Sequence, residues 1–188
     1  MPKKKALTHL DRSGLPRMVD VSRKKVTLRQ AVATAELRMN PRTLSRIRAD
    51  SLPKGSVSSI ARIAAIQAAK ETHRWIPLCH PLPIESIEVE IDLRPPDRVA
   101  IRVRARVRAR TGVEMEALVG AAAAALTIYD MCKSIDRGVI IGPIQLEEKS
   151  GGRSGRWTRH RGSPRRSRQA ERGALRRSGK RAARNTPP

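Results

Sequence analysis

The stretch that decides the fold runs from residue 87 to residue 108 and reads IEVEIDLRPPDRVAIRVRARVR. Before Pro95-Pro96-Asp97, apolar residues alternate mainly with acids; after it, they alternate mainly with arginines. Strict alternation is typical of a strand with one buried face, and a Pro-Pro-Asp tripeptide is typical of a turn. The stretch therefore predicts a β-hairpin that turns one apolar face toward a core.

The exposed rows of this hairpin carry opposite charges, with acids on the first strand and arginines on the second. Side chains on neighbouring strands face each other, and an exposed pair of opposite charges contributes about 0.2–1 kcal/mol. We therefore expect the arginine row to be a solvated, paired face. A stripe that binds nucleic acid is the less favoured alternative.

The flanking sequence predicts the remaining elements of an α+β fold. Asn40-Pro41 is a helix start, with Asn as the N-cap and Pro at the first helical position. Apolar residues recur at helical spacing from Val57 to about Thr72, and an alanine-rich segment follows from Val113 to Cys132. The predicted strands cover residues 26–39, 87–94, 98–108 and 140–146, and the predicted helices cover 41–50, 57–72 and 113–132. This order predicts a ferredoxin-like two-layer sandwich, with helices on one face of a mainly antiparallel sheet.

Charge and composition divide the chain of 188 residues into three parts. The net charge is +23, and residues 151–188 supply 13 − 1 = +12 of it from 13 basic residues and one acid. We predict a flexible arm over 1–16, one domain over 17–157 and a disordered basic tail over 158–188, because the tail has too few apolar residues to offset its ordering entropy. A solvated extension is the favoured interpretation of the tail, and loose contact with polyanions is the alternative.

The cellular setting is predicted from what the composition lacks. Cys79 and Cys132 do not make a disulfide framework, and no apolar h-region follows the N-terminal lysines. The longest apolar stretch, around residues 120–128, is shorter than the ~18 residues of a membrane span. We expect a cytoplasmic protein without a membrane association.

Five short clusters carry residues suited to chemistry; they lie at 54–55, 77–81, 110–116, 130–133 and 149–155. Asp130 and Lys133 would share one face of a helix, whereas Glu114 and Glu116 would share a face only on extended chain. Each cluster alone has an ordinary explanation, such as a surface lysine, a structural histidine or a surface ion pair. No CxxC or HxxxH spacing supports a metal site. Together the clusters suit an anionic, phosphorylated small substrate and acid–base steps without a metal.

Six stretches of the chain resemble the MoaC family, the cyclic pyranopterin monophosphate synthases of molybdenum cofactor biosynthesis. They are LTHLD (7–11), MVDVS (18–22), KGSVSSIARIAAIQAAKETHRWIPLCHPL (54–82), TGVEMEAL (111–118), AALTIYDMCKSID (124–136) and IGPIQLEEKSGGRSG (141–155). The resemblance implies a lyase that converts a 3′,8-cyclised dihydroguanosine triphosphate to cyclic pyranopterin monophosphate and pyrophosphate. We expect no cofactor. A basic nucleic-acid-binding protein is the alternative function, and a catalytically dead relative is a weaker third.

The resemblance also implies roles for individual residues. Lys54 and Lys133 would be catalytic lysines, and Asp130 would be the carboxylate beside them. The substrate contacts would come from Leu78, Cys79, His80, Met115 and Glu116, with Glu114 lining the pocket and Arg29 and Lys149 binding phosphate. The family further implies dimers that associate into hexamers, with the active site at the dimer interface.

Three features depart from the family pattern. Ser56 stands where the family usually has Asp, and Arg153 stands for Lys in the glycine-rich stretch. Arg keeps the positive charge but presents a planar fork instead of a point charge, so the phosphate contact changes in detail. The basic tail after about Trp157 lies outside the resemblance.

Overall fold

A computed structural model describes residues 10–11 and 13–159 of the chain. Most of the predicted basic tail and the first nine residues of the predicted arm lie outside the described residues. Where the arm is described, Leu10 and Pro16 form one isolated antiparallel bridge.

The fold is an α+β two-layer sandwich, which confirms the predicted class. The helices are α1 (Pro41–Arg48), α2 (Val57–Lys70), α3 (Thr72–Trp75) and α4 (Glu114–Cys132), and the strands are β1 (Thr27–Arg38), β2 (Ser86–Arg94), β3 (Arg98–Ala109), β4 (Ile140–Ile141), β5 (Gln145–Ser150) and β6 (Trp157–Thr158). The strand order is β2-β3-β1-β5-β6, all neighbours are antiparallel, and β4 pairs with β1. β3 therefore lies between β1 and β2, as in a split βαβ arrangement.

The hairpin of β2 and β3 forms as predicted, with the predicted charge pairing. Glu88 lies opposite Arg104 and bonds both Arg104 and Arg106, at 3.2 and 3.0 Å. Glu85 bonds Arg108 at 3.3 Å. The apolar residues of both strands face the helices, so the arginine row is a paired outer face of the sheet.

The core lies between the sheet and the pair α2 and α4, and small residues let these elements approach closely. A Cβ on Gly120 would lie 3.2 Å from the carbonyl oxygen of Ala65 in α2 and 3.2 Å from the Cγ1 of Val103 in β3. By length and composition α4 could cross a membrane, but 61% of its apolar window is buried inside the protein. Packing on two sides explains why its sequence is so apolar.

The C-terminal part of the sheet differs from the sequence prediction. Instead of one strand over 140–146, the structure has two, because the chain leaves β1 at Gly142-Pro143 and returns as β5. A β-bulge between Val32 and Ala33 shifts the register of β5 on β1. β5 continues to Ser150, so Lys149 lies on a strand instead of in a loop.

Candidate active site

Two lysines converge on one carboxylate at the C-terminal end of α4. Lys54, in the loop before α2, places its Nζ 3.0 Å from Asp130 Oδ2 and 3.1 Å from the Asp130 carbonyl oxygen. Lys133, one helical turn after Asp130, places its Nζ 2.6 Å from the other oxygen of the Asp130 carboxylate. All three side chains are about half exposed, so a ligand can reach them.

The electrostatics of this cluster keep Asp130 and Lys133 charged. Hydrogen bonds from Lys133 and then Lys54 lower the pKa of the Asp130 carboxyl, and Asp130 in turn raises the pKa of Lys133. Lys133 is therefore a proton donor and a cation at neutral pH when no substrate is bound, not a base. Such groups suit the protonation of a leaving oxygen and the stabilisation of developing negative charge.

A cavity of about 280 Å³ lies at the opposite end of α4, where the segment after α3 meets the first turn of the helix. It contains six of the predicted substrate contacts: Leu78, Cys79, His80, Glu114, Met115 and Glu116. His80 Nε2 lies 2.9 Å from the Val19 carbonyl oxygen. A carbonyl only accepts hydrogen bonds, so Nε2 carries the proton, and in the neutral ring Nδ1 is the free acceptor.

Glu114 and Glu116 both lie in the first turn of α4. Because they are two residues apart on a helix, their side chains point in different directions and have different environments. Glu116 is 4% exposed, and burial raises its pKa to about 7, with the charge of Glu114 adding to the effect. Burial also raises the pKa of Cys79, which faces Glu116. Glu116 is thus suited to exchange a proton near neutral pH.

A second cavity, of about 670 Å³, lies beside the first and is strongly cationic. Its charged lining comprises one acid, Glu114, and seven cations: Arg23, Lys24, Lys25, Arg29, Arg110, Lys149 and Arg153. Lys24, Thr111, Gly112 and Glu114 line both cavities and form their common wall. An acid–base pocket that opens onto a cationic one suits a ligand with a polar ring system and several phosphates.

The glycine-rich loop after β5 closes the cationic cavity against Arg29. Gly151 and Gly152 have φ angles of 96° and 70°, and a Cβ on either would collide with the Leu28 carbonyl or the Arg29 guanidinium. Arg29 donates to the carbonyl oxygens of Ala109 and Arg110, each at 3.4 Å. Much of the Arg29 guanidinium is therefore engaged in holding the end of β3.

The predicted site residues thus fall into two groups at the two ends of α4. Glu116 and Asp130 are 14 residues apart, which corresponds to about 21 Å along a helix. Groups that transfer protons to one reacting centre must lie within hydrogen-bond reach of it. The two groups of one chain are too far apart to act on the same atom.

Sequence reasoning did not single out Lys24, although it lines both cavities. The available signal was its position two residues after the MVDVS stretch and beside two other cations. Within residues 10–11 and 13–159, no three His, Cys, Asp or Glu side chains come together as a metal site would require. Cys132 is buried at the far end of α4 from Cys79, so the two cysteines do not share a site.

The chain matches one family model and several named relatives. The family model described as MoaC family matches residues 18–152. A protein of Mycobacterium bovis named cyclic pyranopterin monophosphate synthase 3 is 53% identical over 154 residues, which cover 82% of this chain and 87% of the relative. A protein of the same name from Mycobacterium tuberculosis has the same identity and coverage.

Proposed function

The chain belongs to the MoaC family, and from this premise we propose that it is a cyclic pyranopterin monophosphate synthase. It is a lyase of molybdenum cofactor biosynthesis, and its substrate is a 3′,8-cyclised dihydroguanosine triphosphate. The observation that carries the proposal is the Asp130 carboxylate held by both Lys54 and Lys133, in a chain that also has an acid–base cavity beside a cationic one.

The chemistry requires each of these parts. Rearrangement of the purine-derived ring moves protons, for which Lys133, Glu116 and His80 are suited donors or acceptors. Formation of the cyclic phosphate breaks the bond between the α-phosphorus and the pyrophosphate and makes a new bond to a sugar-derived oxygen. The triphosphate needs cations to bind, in the ground state as well as in the transition state, and the second cavity supplies them through Lys24, Lys149 and neighbouring arginines.

The separation of the two groups along α4 supports a shared site. A two-fold axis across the middle of α4 would bring the lysines of one chain to the cavity of another. The outer surface of the helical layer is apolar enough for such a contact, since Ile63, Trp75 and Leu126 are each more than half exposed. We include in the proposal a dimer completed in this way, its association into hexamers as a trimer of dimers, and a cytoplasmic location.

The alternative of a nucleic-acid-binding protein loses part of its support in the described residues. Arg104, Arg106 and Arg108 are paired with Glu85 and Glu88, so this face of the sheet is not a free cationic stripe. The tail beyond residue 159 lies outside the described residues and is tested separately below.

The test is an assay with the cyclised guanosine triphosphate and no other enzyme. We expect the protein to release pyrophosphate and cyclic pyranopterin monophosphate together. Lys54→Ala and Lys133→Ala should each lower turnover at least a hundredfold, because each removes a cation and proton donor from the reacting centre. Lys70→Ala, at the exposed C-terminal end of α2, is the matched control and should retain activity. Turnover near the wild-type rate by both site variants would contradict the roles assigned to the lysines.

A further inference from the structure

The segment 19–25, here called the strap, lies over both cavities without being part of the sheet or a helix. Val19 and Val21 line the first cavity, Arg23 and Lys25 line the second, and Lys24 lines both. Its backbone has few bonds of its own: the Ser22 amide bonds Asp20 Oδ1 at 2.8 Å, and the Lys24 amide bonds the Val21 carbonyl at 3.0 Å. The conformation of the strap therefore depends on what holds it from outside.

Two side chains of the main body hold the strap, one near each end. His80 Nε2 donates to the Val19 carbonyl at 2.9 Å, and Arg110 Nε donates to the Lys24 carbonyl at 3.2 Å. Arg110 sits directly after β3, and its own carbonyl accepts from the Arg29 guanidinium. The Lys24 end of the strap is thus tied through Arg110 and Arg29 to the end of β3.

We infer that Arg110 is a positioning residue that holds the strap over the substrate and sets the Lys24 ammonium between the two cavities. The part of this inference that concerns substrate and catalysis rests on the proposed function. A direct contact of Arg110 with phosphate, independent of Lys24, is the competing role, because Arg110 also lines the cationic cavity.

The first test needs no substrate, because the strap contains three consecutive sites for trypsin at Arg23, Lys24 and Lys25. Cleavage after these residues, followed by mass spectrometry, reports how often the strap opens. Arg110→Ala should speed this cleavage about tenfold, as expected for the loss of one charged hydrogen bond from an opening equilibrium. Arg108→Ala is the control, since Arg108 lies two residues earlier, on β3, and bonds Glu85 instead. Equal cleavage rates in wild type and Arg110→Ala would overturn the inference even if the protein had no synthase activity.

The second test separates positioning from direct phosphate contact. Arg110→Ala should raise KM about tenfold and change kcat less than twofold, because it removes a binding contact through Lys24. Arg110→Lys keeps a donor for the Lys24 carbonyl and should restore most of the affinity. In a Lys24→Ala background, the effect of Arg110→Ala on KM should largely disappear, because two residues that act through one contact are not additive. Additive effects of the two substitutions would assign Arg110 to the phosphate and overturn the positioning role.

Discussion

The Glu116 carboxyl shows how a single position in a helix acquires a special chemistry. It lies in the first turn of α4, where the helix dipole stabilises a negatively charged carboxylate. Glu116 is nevertheless only 4% exposed. Burial outweighs the other influences and raises its pKa to about 7. The protein therefore holds a proton at the cavity wall that an exposed glutamate would release at much lower pH.

This pKa predicts a pH dependence of stability. The native state binds the Glu116 proton more tightly than the unfolded chain, whose glutamate has the ordinary pKa of 4.5. The resulting stabilisation is complete below about pH 4.5 and is lost as the pH rises to about 7, a change of up to about 3 kcal/mol. The measurement is the free energy of unfolding in urea at pH 5 and at pH 8. It should fall between these pH values in the wild type, and this contribution to the fall should be absent in Glu116→Gln.

Glu90→Gln, on the exposed outer face of β2, is the control and should leave the pH dependence unchanged. A wild-type free energy of unfolding that did not fall between pH 5 and pH 8, relative to Glu116→Gln, would contradict the assignment of the proton to Glu116.

At the scale of elements, α4 joins the two halves of the candidate site and also forms the centre of the core. Its buried side is built from alanines, from Gly120 and from a few larger residues, so α2 and β3 approach its backbone closely. The position of α4 against the sheet decides where Glu116 and Asp130 point. Packing on this helix is thus a condition for the geometry of the site.

Gly120→Val tests this packing. The new side chain would meet the Ala65 carbonyl and Val103, which belong to rigid elements on both sides of α4. We expect the free energy of unfolding in urea to fall by about 1–3 kcal/mol, as for other overpacked cores. Arg42→Val places the same β-branched residue at an exposed position of α1 and should cost less than about 1 kcal/mol. Equal losses for the two variants would mean that helix propensity, not packing, sets the effect.

At the scale of the whole molecule, the separation of about 21 Å along α4 makes a prediction about mixed oligomers. Lys133→Ala and Glu116→Ala are each expected to be inactive, because they damage opposite halves of the site. If each site takes its halves from two chains, unfolding and refolding the two variants together should restore about a quarter of wild-type activity, from dimers with one intact site.

The control for this mixture is Lys133→Ala combined with Lys54→Ala, which damage the same half and should not complement each other. If mixed Lys133→Ala and Glu116→Ala stayed as inactive as the separate variants although they formed mixed oligomers, the shared site would be ruled out.

The basic tail is tested by truncation. Removal of residues after Arg159 keeps β6 and the bond from the Arg159 amide to the Glu147 carbonyl, whereas an end at Gly155 would remove β6. We expect the shortened chain to keep its turnover. Any salt-dependent binding of RNA that the full chain shows should be lost with the tail, because residues 160–188 carry ten basic residues and one acid. A loss of turnover would contradict the proposal that the tail is dispensable for catalysis.

Local sequence patterns were enough to predict the elements whose residues have a strict period. Alternation from residue 87 to residue 108 predicted β2 and β3 and the pairing of their charges, and Asn40-Pro41 predicted the start of α1. These patterns are local, because the period of a strand or helix is set by its own backbone. The family resemblance supplied the candidate residues, and the residue types alone indicated an anionic substrate.

The distribution of these residues in space depends on the packing of the whole chain. In the folded protein Lys54 contacts Asp130, and the cavity at Glu116 adjoins the cationic cavity. Arg110 and His80 hold the strap across both cavities. The two catalytic lysines and Glu116 lie at opposite ends of α4. Contacts between residues distant in the chain depend on the packing of whole elements, including the bulge in β5 and the close approach of α2 and β3 to Gly120, and no local period encodes them.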